Sequence, residues 1–292
     1  MYRFSVSVNI AQYFLTFRYL KFLLTLMILV LCAKCQAQSP FEIPRSQVID
    51  ITDPISGRIY PLYIKLPRSY DPQLSKTYPV IYLTDALYSF QLISGATRFP
   101  MNSGTLQEFI IVAISYEKGS KGTQSRVRDY TPRKTQGWKL ITGKAVEHAT
   151  FIRETVFSYV ETHYRADSEK RTFVGNSLGG IFGVYILFSQ PDMFSSYIIG
   201  SPSVWFADKD ILSQPVAKSE LTKRVYMAVG GQESPDFGQQ QDMVTDAKAL
   251  AKKIEQQQSQ SITLKFSVIE NATHTTAFPT IAIQGLDWLY RK

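Results

Sequence analysis

Two uninterrupted apolar runs, Tyr78–Leu83 (YPVIYL) and Phe109–Ile114 (FIIVAI), limit what this chain can fold into. A strand with one wet face alternates apolar and polar residues. A strand that is apolar at every position is covered on both faces, which is the condition of a parallel sheet sandwiched by helices. The remainder of the chain agrees. Val48–Ile51 and Arg58–Leu66 alternate about a turn at Gly57, as in an antiparallel pair. Residues 145–163 carry apolar positions near a 3.6 period and read as a helix. Arg171–Val174, Met193–Ile199, Arg224–Val229 and Ile262–Ile269 read as strands, with helices at Leu178–Phe188, Met243–Ile254 and Phe278–Tyr290. This alternation predicts an α/β fold with a mostly parallel central sheet and helices on both faces. Between Tyr116 and Gly143 lies a polar, basic stretch too long for an idle connection.

The first forty residues are of another kind. Residues 1–37 hold Arg3, Arg18, Lys21 and Lys34 but no Asp or Glu, and Phe22–Leu31 is apolar except for Thr25. Cys35-Gln36-Ala37 is a small-x-small triplet of the sort signal peptidase accepts. A basic start, a short apolar run and a small-residue site predict a secretory signal over 1–37, followed by a single domain over 38–292. Export to the periplasm or the medium follows. The alternative is an uncleaved N-terminal anchor, although the run falls short of the about 20 residues a spanning helix needs. The full chain has 32 basic and 24 acidic residues, a net of +8. Without the leader the balance is 28 against 24, a net of +4, so the basic character partly belongs to the leader and gives no support to nucleic-acid binding. Both cysteines, Cys32 and Cys35, also lie in the leader, which excludes disulfides and cysteine-based metal sites from the mature chain.

Chemistry concentrates in Gly175-Asn176-Ser177-Leu178-Gly179-Gly180. It is a G-x-S-x-G sequence between a short strand and an apolar helix, the context in which such a serine is presented as a nucleophile. Where a strand turns abruptly into a helix, neighbouring backbones press together and only glycine fits beside the serine. The Leu178 amide, at the helix start, then points toward a developing oxyanion. A serine hydroxyl needs a base, and the chain offers three histidines. His148 and His163 fall in the helix before the nucleophile strand and read as packing or surface residues. His274 lies in a polar loop between the last strand and the last helix, where a chain order of Ser…acid…His puts the base. The acid is expected just past Val229. Glu233 stands first there and Asp236 second, and a dyad without a strong acid is the remaining alternative. A second oxyanion donor is expected from the turn Thr84-Asp85-Ala86-Leu87, through the amide of Ala86 or Leu87.

With these residues in place the chain resembles a family of esterases that includes siderophore trilactone, feruloyl and acetylxylan esterases and S-formylglutathione hydrolase. The resemblance runs from about residue 45 to the C-terminus. It is carried by Tyr78–Asp85, Arg126-Val127-Arg128-Asp129-Tyr130-Thr131-Pro132, the Ser177 segment, Gly200-Ser201-Pro202-Ser203-Val204-Trp205-Phe206, the Gly230–Glu233 turn and His274. It implies an α/β-hydrolase fold and, within the family, the branch similar to periplasmic enterobactin- and salmochelin-type siderophore esterases. On that resemblance Arg126 and Arg128 lie in a loop above the site, where they would attract an anionic iron–catecholate. Arg128 paired with Asp129 would instead order that loop. Trp205 either stacks an aromatic acyl group or floors the pocket. The chain departs from the family at Asp85-Ala86, where many members carry Asp-Gly.

The sequence therefore reads as an exported serine ester hydrolase acting through Ser177, His274 and Glu233, with Leu178 and Ala86 at the oxyanion. It needs neither metal nor cofactor, and its partner is a small-molecule ester. A feruloyl- or acetylxylan-type carbohydrate esterase is the alternative of the same chemistry. A non-catalytic binding protein of this fold is the alternative of another class.

Overall fold

The computed structural model describes residues 10–33, 41–258 and 261–292. A helix α1 (Ile10–Ala33) belongs to a first unit that ends at Glu42, and Ile43–Lys292 form a second compact unit. No described helix is long and apolar enough to cross a membrane. The expected Cys35-Gln36-Ala37 cleavage triplet lies outside the described residues.

In the second unit β1 (Ser46–Thr52) and β2 (Ile59–Lys65) form the antiparallel pair expected around Gly57. β3 (Tyr78–Leu83) and β4 (Ile110–Ile114) are the two apolar runs, and every residue of both is buried. With β5 (Ala166–Asn176), β6 (Ser196–Gly200), β7 (Lys223–Gly230) and β8 (Ile262–Ile269) they complete one sheet of order β1-β2-β4-β3-β5-β6-β7-β8. All pairings from β4 to β8 are parallel.

Alternate residues of the apolar strands feed two cores. Val80, Tyr82, Ile110, Val112 and Ile114 face one side, and Ile81, Leu83, Ile111 and Ala113 face the other. The first core is covered by α3 (Gly122–Tyr130), α4 (Ala145–Phe151), a π-helical turn (Ile152–Val156), α5 (Phe157–His163), α6 (Leu178–Ser189) and α7 (Met243–Gln258). The second is covered by α2 (Ala86–Ser103) and α8 (Ala277–Tyr290).

Several elements differ from the sequence reading, helix α2 among them, since only a turn is read at its start. Residues 122–130 are helical, so Arg126 and Arg128 stand on α3 rather than in a loop. The strand expected from Met193 starts only at Ser196, because Pro191–Met193 form a 3-10 turn.

His148 sits on α4 among the rings of Tyr60, Tyr130, Phe151 and Phe182. It is buried, and among the described residues neither ring nitrogen has a hydrogen-bond partner. Burial, helped by Arg128 and opposed by Asp129 and Asp53, lowers its pKa from the ordinary 6.5. Below that pH the unfolded chain binds a proton that the folded chain refuses, so stability falls as pH falls through about 6.5. Urea midpoints of the protein and of His148→Phe, taken from pH 7.5 to 5.5, measure this. The histidine contributes a slope of at most about 1.4 kcal/mol per pH unit, which the variant loses. Equal slopes would exclude the buried imidazole as its source.

Candidate active site

The turn from β5 into α6 is tight in every direction. A Cβ on Gly175 would lie 2.4 Å from the Gly179 carbonyl oxygen, and one on Gly179 would lie 2.4 Å from Thr84 Oγ1. One on Gly180 would meet the Gly200 carbonyl oxygen at 2.7 Å. Only glycine fits such approaches. Between them Ser177 has φ 58° and ψ −117°, a strained conformation for a side-chain-bearing residue. Its backbone is tied down nonetheless: its N–H donates to the Gly200 carbonyl at 2.9 Å, and its carbonyl accepts from Ile181 and Ser203 at 3.0 and 3.1 Å.

The chain continues from Ser177 into α6 through Leu178, and from Asp85 into α2 through Ala86. Among the described residues no hydrogen bond uses the amide of Leu178 or of Ala86. Both are first-turn helix amides without an intrahelical partner, as an anion site requires. The positive φ falls on Asp85 (57°), one residue before Ala86, where many members of the resembled family carry glycine. An aspartate tolerates that conformation, and Ala86 is ordinary helix, so the departure from Asp-Gly leaves the turn intact.

Glu233 and His274 come together. Glu233, on the turn after β7, is buried, and its Oε1 accepts from Ser201 Oγ at 2.5 Å and from the Gly230 amide at 2.7 Å. Its Oε2 lies 2.6 Å from His274 Nδ1. A carboxylate only accepts, so Nδ1 is the donor, and in the neutral tautomer that this selects, Nε2 is the acceptor. Asp236 is exposed on a short turn (Pro235–Phe237), and among the described residues no hydrogen bond or ion pair joins it to Glu233 or His274. His274 stands on the β8–α8 loop, at the same carboxyl edge of the sheet as the β5–α6 turn. Among the described residues no hydrogen bond joins His274 to Ser177; the Ser177 hydroxyl pairs with Ser203 Oγ at 3.2 Å.

Arg126 does not stand free. Its Nε and Nη2 pair with Asp85 Oδ1 and Oδ2 at 2.8 and 3.3 Å, and Nη2 also donates to the Asn176 carbonyl at 3.1 Å. Burial works against its charge, but Asp85 more than offsets this and holds the pKa above its usual value. Tyr116 donates to Asp85 Oδ1 at 2.7 Å, and burial beside that carboxylate raises its pKa, keeping it a donor. These groups, with Tyr88 and Phe278, line a cleft of about 190 Å³. Arg128 pairs with Asp129 at 2.7 Å and Glu117 at 2.5 Å. Trp205 is half-buried and stacks on Trp138, with ring centroids 6.1 Å apart.

Ser201, Ser203, Asn176 and Tyr116 are the site residues that sequence reasoning missed. Both serines lay inside the Gly200–Phe206 segment, where only the tryptophan drew notice. Among the described residues no group of acidic, histidine or cysteine side chains is arranged to hold a metal ion.

An eight-stranded sheet of this order, with a strained serine at a strand-to-helix turn, defines the α/β-hydrolase fold. Residues 55–278 match the family described as "Putative esterase", and the chain belongs to it as a carboxylic ester hydrolase. It is 29% identical over 266 residues to the ferri-bacillibactin esterase BesA of Bacillus subtilis, covering 84% of this chain and 90% of the relative. The solved structure of the BES protein of Bacillus cereus superposes with a TM-score of 0.76 at 27% identity, covering 86% and 97%. The siderophore hydrolase EstA of Aspergillus nidulans shares the fold with a TM-score of 0.72 at 20% identity, covering 87% and 97%.

The Glu233–His274 contact generates a direct comparison. Glu233→Gln should lower kcat for ester hydrolysis by about a hundredfold or more, because the amide no longer favours the imidazolium or its tautomer. Asp236→Asn should stay within about twofold. Steady-state kinetics on one ester settles the order, and the reverse order would move the acid to Asp236.

Proposed function

We propose that the protein is an exported serine esterase whose nucleophile, base and acid are Ser177, His274 and Glu233, and that its substrate is a siderophore-type ester of the enterobactin or salmochelin kind. The observation that carries the chemical reading is the Glu233–His274 contact of 2.6 Å on loops at the carboxyl edge where the β5–α6 turn presents Ser177. The substrate reading is supported by relatives whose names describe esterases or hydrolases of siderophores.

In this mechanism His274 Nε2 takes the proton of the Ser177 hydroxyl as Oγ attacks the ester carbonyl carbon. The amides of Leu178 and Ala86 receive the oxyanion. The protonated imidazole, stabilised by Glu233, gives its proton to the leaving alkoxide as the ester C–O bond breaks. Water, deprotonated by His274, then attacks the acyl-serine, and the serine leaves with the proton. No step calls on a metal or a cofactor.

Hydrolysis of p-nitrophenyl butyrate by the protein and by Ser177→Ala tests the nucleophile. The variant should lose at least about a thousandfold in kcat, and retained activity would sink the assignment. Chromatography of products from enterobactin and from methyl ferulate then tests the substrate, with cleavage of ferulate alone pointing to the carbohydrate-esterase alternative. Export predicts a mature N-terminus near Gln38, read by N-terminal sequencing of the protein recovered outside the cytoplasm. An intact N-terminus there would point to an anchor.

A further inference from the structure

We propose that Arg126 is a positioning residue, whose guanidinium ties the turn presenting the Ala86 amide to the turn presenting Ser177 and the Leu178 amide. The inference rests on the serine-esterase reading above and deepens it.

An oxyanion site built from two separate turns works only if their amides keep a fixed spacing. The sheet sets that spacing only up to a point. β3 and β5 pair as far as Leu83 and Val174, and the Thr84 amide donates to the Val174 carbonyl at 3.1 Å. Beyond it the chains part: Asp85 turns left-handed into α2, and Asn176 leads into the strained Ser177. Among the described residues no backbone hydrogen bond joins residues 85–88 to residues 176–179.

Arg126 supplies the missing tie. Its fork grips the Asp85 carboxylate with Nε at 2.8 Å and Nη2 at 3.3 Å, while the same Nη2 reaches the Asn176 carbonyl at 3.1 Å. The residues gripped immediately precede Ala86 and Ser177. A planar guanidinium spans two such acceptors in fixed geometry, and the single head of a lysine does not. Asp85 is itself held in place, accepting from the Tyr116 hydroxyl at 2.7 Å and donating its amide to the Tyr130 hydroxyl at 3.3 Å.

The base of the tie is equally fixed. Arg126 projects from α3, whose Ser125 and Arg128 both bond to Asp129, at 2.9 and 2.7 Å. The side chains of Arg126 and Asp85 are only 23% and 13% exposed, so an anionic substrate would meet a guanidinium already neutralised. That sets the inference against the expectation that Arg126 recruits an iron–catecholate.

Kinetics on two esters separates the roles: uncharged p-nitrophenyl butyrate and the anionic mono-p-nitrophenyl ester of succinic acid, each first shown to be turned over in a Ser177-dependent way. Positioning predicts that Arg126→Gly and Arg126→Lys lower kcat on both esters by about tenfold to a hundredfold, with KM within about twofold. It also predicts that added guanidinium chloride, below denaturing concentration, restores part of the kcat of Arg126→Gly but not that of Arg126→Lys, whose side chain still fills the space. An unchanged kcat on the neutral ester, with a raised KM for the anionic one, would make Arg126 a substrate-binding residue and overturn the inference. So would a fall in kcat that guanidinium does not relieve and that matches a lost folded fraction by circular dichroism. Activity that survives Ser177→Ala would instead remove the serine-esterase reading, a failure separate from either.

Discussion

The conformation of Ser177 is the constraint on which the rest of the centre depends. At φ 58° and ψ −117° its backbone is strained by about 1–3 kcal/mol relative to an ordinary strand or helix residue. That strain persists because the surroundings over-determine it. Gly175 and Gly179 have no room for a Cβ against each other and against Thr84, and Gly180 has none against Gly200. The Ser177 amide and carbonyl are spent on Gly200, Ile181 and Ser203. Relaxing the serine would break three hydrogen bonds and push two strand ends apart. The packing of β3, β5 and β6 at their carboxyl ends therefore fixes the backbone that carries the Ser177 hydroxyl.

A second set of close approaches aligns Glu233 with His274. The turn after β7 and the loop after β8 are stitched together by the Gly231 amide to the Ile269 carbonyl at 2.8 Å and the Gln232 amide to the Ala272 carbonyl at 3.0 Å. Gly230 lies so close that a Cβ would sit 2.5 Å from the Ala272 carbonyl oxygen and 2.8 Å from Glu233 Oε1. A carboxylate this buried is stable only when its oxygens are satisfied. Ser201, Gly230 and His274 do that. The histidine is thus one of the groups that make burial of Glu233 tolerable, and the carboxylate in turn fixes the ring. Ser201 and Ser203 belong to one loop after β6, so this loop bonds at one end to Glu233 and at the other to Ser177.

Much of this was legible in the chain because it follows from local rules. Runs such as Tyr78–Leu83 have one reading in a protein of this size, and the glycines around Ser177 announce a tight turn whatever the rest does. α2 went unread because its buried positions include Ser89, Ser94 and Thr97 alongside Phe90 and Ile93, while Leu87 and Phe99 face water. Ser89 and Thr97 return their hydroxyls to the Thr84 and Ile93 carbonyls, so they sit inside without appearing apolar. α3 escaped for a related reason: Arg128 and Asp129 on its buried side neutralise each other, which no periodicity of apolar residues reveals. The pairings of Arg126 with Asp85 and of Ser203 with Ser177 depend on how distant loops meet, and a single sequence carries no record of that.

The Ser177–Ser203 bond is a weak tether on the hydroxyl. A bond between two neutral hydroxyls contributes only about 1 kcal/mol net. The alternative partner, His274 Nε2, is the acceptor left open when Nδ1 donates to Glu233. In the proposed mechanism Oγ exchanges one neutral hydrogen bond for another on turning from Ser203 to His274, and such an exchange is nearly balanced. In the proposed mechanism the groups that must not move are backbones: the amides of Leu178 and Ala86 would meet developing charge, and an error in their spacing is not recovered by rotating a side chain. That asymmetry accounts for where the fold places its rigid features. Missing Cβ atoms, carbonyl bridges and a paired guanidinium all act on the main chain of the two turns, while the Ser177 hydroxyl is left to rotate.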